Sequence, residues 1–153
     1  MSQQSTQLAE HPDSLEILSD LDELGRIREF LRDCACRAGV ISDEQELWNF
    51  EIAVTEVVSN VIQHGYSGAE DQPIRFEAAV EDEQFVFRVF HQGAAYTPPT
   101  EIPELTEPTE GGMGLFIISK CVDEVSYTES PDGHPCIQLK QSLRKELAHG
   151  KHN

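Results

Sequence analysis

The chain has 153 residues, with 11 basic against 28 acidic side chains and a net charge of −17. That length suits one domain with a genuine core. The charge repels phosphate backbones and anionic lipid, so nucleic acid and membrane surfaces are poor partners, whereas a basic protein surface is steered toward the chain.

Met1 to Asp13 is polar, without the basic and apolar segments of a secretory leader, and no apolar run is long enough to span a bilayer, so the chain reads as cytoplasmic. Residues 1–13 are expected to be a disordered tail, 14–143 a single domain and 144–153 a polar tail. Leu15 to Leu18 reads as an edge strand. Ser19 or Asp20 then caps a helix whose apolar residues Leu21, Leu24, Ile27, Phe30, Leu31, Cys34 and Ala38 recur at helical spacing, with Gly39 as its stop. Ser42 or Asp43 caps a second helix, apolar at Leu47, Trp48, Ile52, Ala53, Val57, Val58, Val61 and Ile62, which runs to about His64, where Gly65 breaks it.

The alternation Ile74, Phe76, Ala78, Val80 marks a strand with one buried face, joined by the turn Glu81-Asp82-Glu83 to a second strand, Gln84 to Phe90. Ala94 to Glu110 contains four prolines and no sustained apolar period; it reads as a long loop of the lid kind. Gly114 opens a helix from Leu115 to about Asp123, followed by strands Glu124 to Glu129 and Cys136 to Leu143 around the turn Pro131-Asp132-Gly133. This order predicts an α+β two-layer sandwich, with helices on one face of a mostly antiparallel sheet. Cys34, Cys36, Cys121 and Cys136 lack metal-ligand spacing and read as buried or half-buried free thiols.

Glu56, Asn60 and His64 follow at four-residue steps on the second helix, a polar stripe on an otherwise apolar element. An Asn side-chain oxygen is a hard, neutral ligand suited to Mg²⁺ bound through few protein groups and substrate phosphates. A carboxylate one turn away can orient or deprotonate an attacking hydroxyl. About fifty residues later, Gly111, Gly112 and Gly114 permit close backbone approach, and the helix they open offers N–H groups to phosphate oxygens.

The run Glu56-Val57-Val58-Ser59-Asn60-Val61-Ile62-Gln63-His64-Gly65-Tyr66 resembles the N-box of the GHKL nucleotide-binding superfamily in its anti-sigma-factor serine kinase branch. Gly111-Gly112-Met113-Gly114-Leu115 resembles that branch's second glycine box, and the likeness extends over about residues 14–143. The resemblance implies the Bergerat, histidine-kinase-like ATPase fold, with ATP and Mg²⁺ as cofactors, Glu56 as general base and Asn60 as metal ligand. It further implies nucleotide contacts from Asn60, His64, His91, Gly93, Gly111, Gly112, Met113, Gly114 and Leu115. Its implied partners are a sigma factor and a STAS-type antagonist phosphorylated on Ser or Thr; a homodimer stays open.

Two departures stand out. The family's first glycine box carries an Asp that accepts a hydrogen bond from the adenine amino group, where this chain has His91-Gln92-Gly93-Ala94-Ala95-Tyr96. A neutral His91 ring nitrogen is the acceptor expected there. No Lys or Arg occurs between Arg88 and Lys120, and the lid carries Glu101, Glu104, Glu107 and Glu110. The alternative is therefore a non-catalytic or weakly nucleotide-binding anti-sigma or adaptor module of the same fold. The first helix is expected at the partner interface, its outer face bearing Arg26, Arg28, Glu29, Arg32 and Asp33.

Overall fold

The computed structural model describes residues 13–39, 44–95, 118 and 120–142. Its strands are β1 (Asp13–Leu18), β2 (Pro73–Glu81), β3 (Gln84–His91), β4 (Glu124–Glu129) and β5 (Pro135–Ser142), and its helices are α1 (Leu24–Ala38) and α2 (Glu44–Asn60). The strands form one sheet in the order β1-β2-β3-β5-β4, antiparallel at every pairing. Both helices pack on the same face, which makes the expected two-layer α+β sandwich. Among the described residues no helix is long and apolar enough to cross a membrane.

Period-two alternation in β2 and β3 builds the core. Phe76 and Ala78 face the helices from β2, and Phe85, Phe87 and Val89 do so from β3. Phe87 sits at the centre of an aromatic cluster, 5.9 Å from Phe76, 6.0 Å from Phe30 of α1 and 6.2 Å from Phe50 of α2. Phe50, Phe76 and Phe87 are fully buried and contribute about 1.5–3 kcal/mol each, with Phe30 partly buried against them, so this cluster is a main adhesive between the layers. The other face mixes buried Ala79, Val86 and Cys136 with polar residues: Arg88 forks onto Glu81 at 2.8 and 2.9 Å and reaches Gln138 of β5.

The β2–β3 connection is tighter than the sequence suggests. Glu81 stays in the ladder opposite Gln84, leaving a two-residue turn whose Asp82 and Glu83 both have positive φ, 52° and 62°. That is the backbone that matches the twist of a hairpin.

Of the two candidate caps, Asp20 serves. Its carboxylate accepts the Asp22 N–H at 2.9 Å and starts a 3-10 turn, Leu21–Glu23, that leads into α1. Ser19 is buried instead, donating to the Ala69 carbonyl at 2.8 Å and accepting from the Gln72 N–H at 3.0 Å, which ties the end of β1 to the loop before β2. Gly39 stops α1 with φ 64°. Ser42 and Asp43, and the lid beyond Ala95, lie outside the described residues, as do both tails apart from Asp13. Of the helix expected from Leu115 to about Asp123, Ile118, Lys120 and Cys121 are described as helical, whereas Val122 and Asp123 form a bend.

Three burial expectations change. Trp48, counted with the apolar positions of α2, is 54% exposed. Cys36 is exposed, while Cys34 and Cys136 are buried and Cys121 is half-buried; a residue two positions from Cys34 turns to the other side of the helix. Arg32 is drawn off the outer face of α1 by α2, bonding Glu51 at 2.5 Å and Glu44 at 3.0 Å.

Candidate functional site

The polar stripe on α2 is not one uninterrupted α-helical face. After Asn60 the chain widens into a π-turn, Val61–Gly65, marked by hydrogen bonds from the Tyr66 N–H to the Val61 carbonyl at 2.9 Å and from the Gly68 N–H to the Ile62 carbonyl at 2.8 Å. Such turns often occur at functional sites because they re-aim side chains. Here the two parts of the stripe separate: Glu56 and Asn60 are half-buried, whereas His64 is exposed.

The helical run ends at Gly65, as the last residue of the π-turn. Gly65 is buried with its α-carbon against the His91 ring, where a Cβ would stand 2.8 Å from Cε1 and 3.1 Å from Nδ1. The glycine is therefore required by space. Gly93 answers from the other side: a Cβ there would collide with the Gly65 carbonyl and the Tyr66 ring. Hydrogen bonds fasten this corner. The Ala94 N–H donates to the Gly65 carbonyl at 2.8 Å, and the Tyr66 hydroxyl accepts from the Gln92 N–H at 2.7 Å while donating to the Pro73 carbonyl. The end of α2, the end of β3 and the entry to the lid segment are thus one rigid joint.

His91 occupies its centre. It is the last helix-facing residue of β3, buried and edge-on to Tyr66 with ring centroids 5.6 Å apart. Burial, reinforced by nearby His134, pushes its pKa below the ordinary value. The ring is neutral near pH 7, and its Nδ1 accepts the Gly93 N–H at 3.1 Å. A neutral imidazole with Nδ1 as acceptor carries its proton on Nε2. In this arrangement the acceptor nitrogen serves Gly93, and the other nitrogen is a donor.

One opening at His91, of about 70 Å³, runs along Arg75, Phe90 and His134, and two more concern the site. One is a crevice of about 10 Å³ lined by Val57, Asn60, Val61, His91, Tyr127 and Ile137, too narrow for more than a water. The other is a cavity of about 330 Å³ between His91, Ala95 and the β4–β5 edge at Tyr127, Thr128, Glu129, Pro135, Cys136 and Ile137. Its volume falls in the range of small-molecule sites. The structure thus joins Asn60 to His91 through a shared crevice, and His91 to a ligand-sized space. Gly111, Gly112, Met113, Gly114 and Leu115 lie outside the described residues.

Among the described residues no three His, Cys, Asp or Glu side chains are grouped to hold a metal ion by themselves. A divalent cation at Asn60 would rely on phosphate oxygens for most of its shell, which is the habit of Mg²⁺ and fits a half-buried amide oxygen with Glu56 one helical turn away.

Sequence reasoning missed Glu51. It is 4% exposed on α2 and is held by Arg32 of α1. The signal was present: Leu47, Glu51, Val54 and Val58 follow the i, i+4, i+7, i+11 spacing of the buried stripe. Tyr66 belongs to the N-box-like run, but its role in fastening the joint depends on Pro73 and Gln92, which no local pattern connects to it.

Two helices on one face of a five-stranded antiparallel sheet make an α+β two-layer domain, and the chain belongs to the histidine kinase-like ATPase domain family, whose model matches residues 17–139. Within it, the chain is similar to the serine-protein kinase RsbW of several bacteria. It is 32% identical to that of Listeria monocytogenes serovar 1/2a over 111 residues, covering 67% of this chain and 68% of the relative. It is 31% identical to that of Bacillus subtilis over 123 residues, covering 72% and 74%, and 26% identical to that of Bacillus velezensis over 148 residues, covering 89% of each. Among solved structures, the RsbU and RsbW domains of Rv1364c from Mycobacterium tuberculosis share the fold at a TM-score of 0.57 and 20% identity, over 85% of this chain and 32% of that one. The blue-light activated histidine kinase EL346 of Erythrobacter litoralis does so at 0.53 and 18%, over 82% and 42%.

Proposed function

We propose that this chain is a serine/threonine protein kinase of the anti-sigma type, transferring the γ-phosphoryl group of Mg-ATP to a Ser or Thr of a STAS-type antagonist in a bacterial partner-switching system. The observation that carries the reading is the pair Glu56 and Asn60, half-buried one turn apart on α2, in a chain matched by the family model over 17–139 and similar to serine-protein kinases across most of its length. Asn60 holds Mg²⁺, which neutralises charge on the phosphates when bound. Glu56 orients and deprotonates the acceptor hydroxyl. His91 and Gly93 bound the base end of the site, His64 lies at its outer margin, and the run Gly111 to Leu115 cradles the phosphates through backbone N–H groups. The protein acts in the cytoplasm.

The partner surface follows from charge. A net −17 favours a basic sigma factor or antagonist, and on α1 Arg26, Arg28 and Glu29 are exposed. Calorimetric titration with Mg-ATP, followed by phosphotransfer assays against STAS proteins of the source organism, tests the proposal. Asn60→Ala is expected to abolish Mg²⁺-dependent binding. A native chain that binds a sigma factor but no nucleotide would be an adaptor, not a kinase.

A further inference from the structure

The Tyr66 hydroxyl occupies a place in the sheet that backbone alone ordinarily fills. The two-residue turn between β2 and β3 closes on the pair Glu81 and Gln84, and a turn of that length closes on a pair that exchanges both backbone hydrogen bonds. In an antiparallel ladder such pairs recur at every second position. Along this register they are Ala79 with Val86, Glu77 with Arg88 and Arg75 with Phe90, and the next is Pro73 with Gln92. Half of that rung is missing by chemistry, because Pro73 has no N–H. The other half runs through a side chain: the Gln92 N–H donates to the Tyr66 hydroxyl at 2.7 Å, and the hydroxyl donates to the Pro73 carbonyl.

An oxygen interposed in this way holds the two backbones farther apart than one direct bond of about 2.9 Å. The strand ends splay, and the end of β3 is drawn toward the turn that follows α2. The same joint shows the consequences. The Ala94 N–H reaches the Gly65 carbonyl at 2.8 Å, Gly93 lies against Gly65 and the Tyr66 ring with no room for a Cβ, and the His91 ring stands edge-on to Tyr66 at 5.6 Å. The π-turn aims Tyr66 at this place, since the Tyr66 N–H closes that turn on the Val61 carbonyl at 2.9 Å. Tyr66 is 8% exposed, and burial raises its pKa above the ordinary phenolic value, so the hydroxyl keeps the proton that it gives to Pro73.

We infer that Tyr66 is a positioning residue of the nucleotide site: its hydroxyl, standing in the last rung between β2 and β3, holds His91, Gly93 and Ala94 against the end of α2 and so sets how tightly Mg-nucleotide is bound. The inference rests on the kinase reading above and deepens it. A fastening role alone gives a different expectation. Tyr66→Phe removes only the oxygen, and the Gln92 N–H and the Pro73 carbonyl then bond directly, so the ladder gains its rung and little stability is lost. The segment from His91 to Ala94 follows β2 and leaves Gly65.

The test compares Mg-ADP binding by calorimetry, denaturant unfolding and amide hydrogen exchange for the full native chain and for Tyr66→Phe. The variant should bind Mg-ADP about tenfold more weakly, with an unfolding midpoint close to native and a Gln92 amide that stays protected. Native affinity in the folded fraction, at whatever stability, would make Tyr66 a fastener only and overturn the inference. Weaker binding with a freely exchanging Gln92 amide would overturn the interposed rung, because the strands would not have closed. Should Tyr66→Phe fail to fold, Pro73→Ala decides: it keeps the hydroxyl but returns the N–H that lets the strands pair, and it should weaken binding in the same direction by a smaller factor. Unchanged affinity there would overturn the inference. Native protein that binds no Mg-ADP would overturn the kinase reading as well, whereas every other outcome leaves that reading intact.

Discussion

Glu51 and Glu56 stand five residues apart on the same helix and have opposite circumstances. Glu51 points toward α1, is 4% exposed, and is held by Arg32 at 2.5 Å. Glu56 is half-buried, one turn from Asn60. One carboxylate fastens two helices and the other is the proposed base. The residue type does not decide which; the neighbouring element does, because a charge withdrawn from water must be met by a partner.

Four experiments break or sharpen that contrast. The largest effect is expected for Glu56→Gln, which should leave nucleotide affinity within a factor of a few and slow phosphoryl transfer by about 100-fold or more, the usual worth of a positioned base. Single-turnover transfer alongside calorimetry measures it, and equal loss of binding and transfer would show that Glu56 belongs to the binding wall. Next comes Gly93→Ala. The added carbon meets the backbone of Gly65, so the joint at His91 must open, at about 1–3 kcal/mol of stability. Thermal or denaturant unfolding reads this directly, and nucleotide binding should weaken with it.

Glu51→Gln should produce a smaller loss of stability than Gly93→Ala and leave both nucleotide affinity and transfer rate unaltered in the folded fraction. A transfer defect at native stability would mean that the two carboxylates have been assigned the wrong way round. The smallest effect concerns pH. Burial lowers the pKa of His91 in the folded chain beneath its ordinary 6.5, so below that pH the unfolded chain takes up a proton more readily than the folded one. The stabilising contribution of a neutral His91 is present above about 6.5 and is lost as pH falls toward the folded value. Melting temperatures of native protein and His91→Asn across pH 5–8 should converge on the acid side; parallel curves would show that another group carries the dependence.

The cysteines repeat the lesson in a simpler form. Cys34 is buried beside Asp13 and Arg37, and desolvation followed by the Asp13 carboxylate pushes its thiol up to about 12, whereas Cys36, two residues on, is exposed. The α1 periodicity places Cys34 among core residues from sequence alone. It gives no account of Asp13, which arrives from β1 in the sheet layer.

The amino-acid sequence by itself determined the periodicities and hence the elements. Alternation made β2 and β3, helical spacing made α1 and α2, and Gly39 ended α1, because each of these signals is carried by residues a few positions apart. It also held the N-box-like run that led to Glu56 and Asn60. Tertiary structure alone decided which nitrogen of His91 is a donor, why Gly65 and Gly93 must lack a side chain, and which of two glutamates is tied down. Each of those outcomes depends on a partner brought close by the fold: Gly65 meets Gly93 across twenty-eight positions of chain, and Arg32 meets Glu51 across nineteen. Hydrogen-bond direction and van der Waals exclusion act over about 3–4 Å, and no periodicity along the chain encodes which distant atoms come within that range.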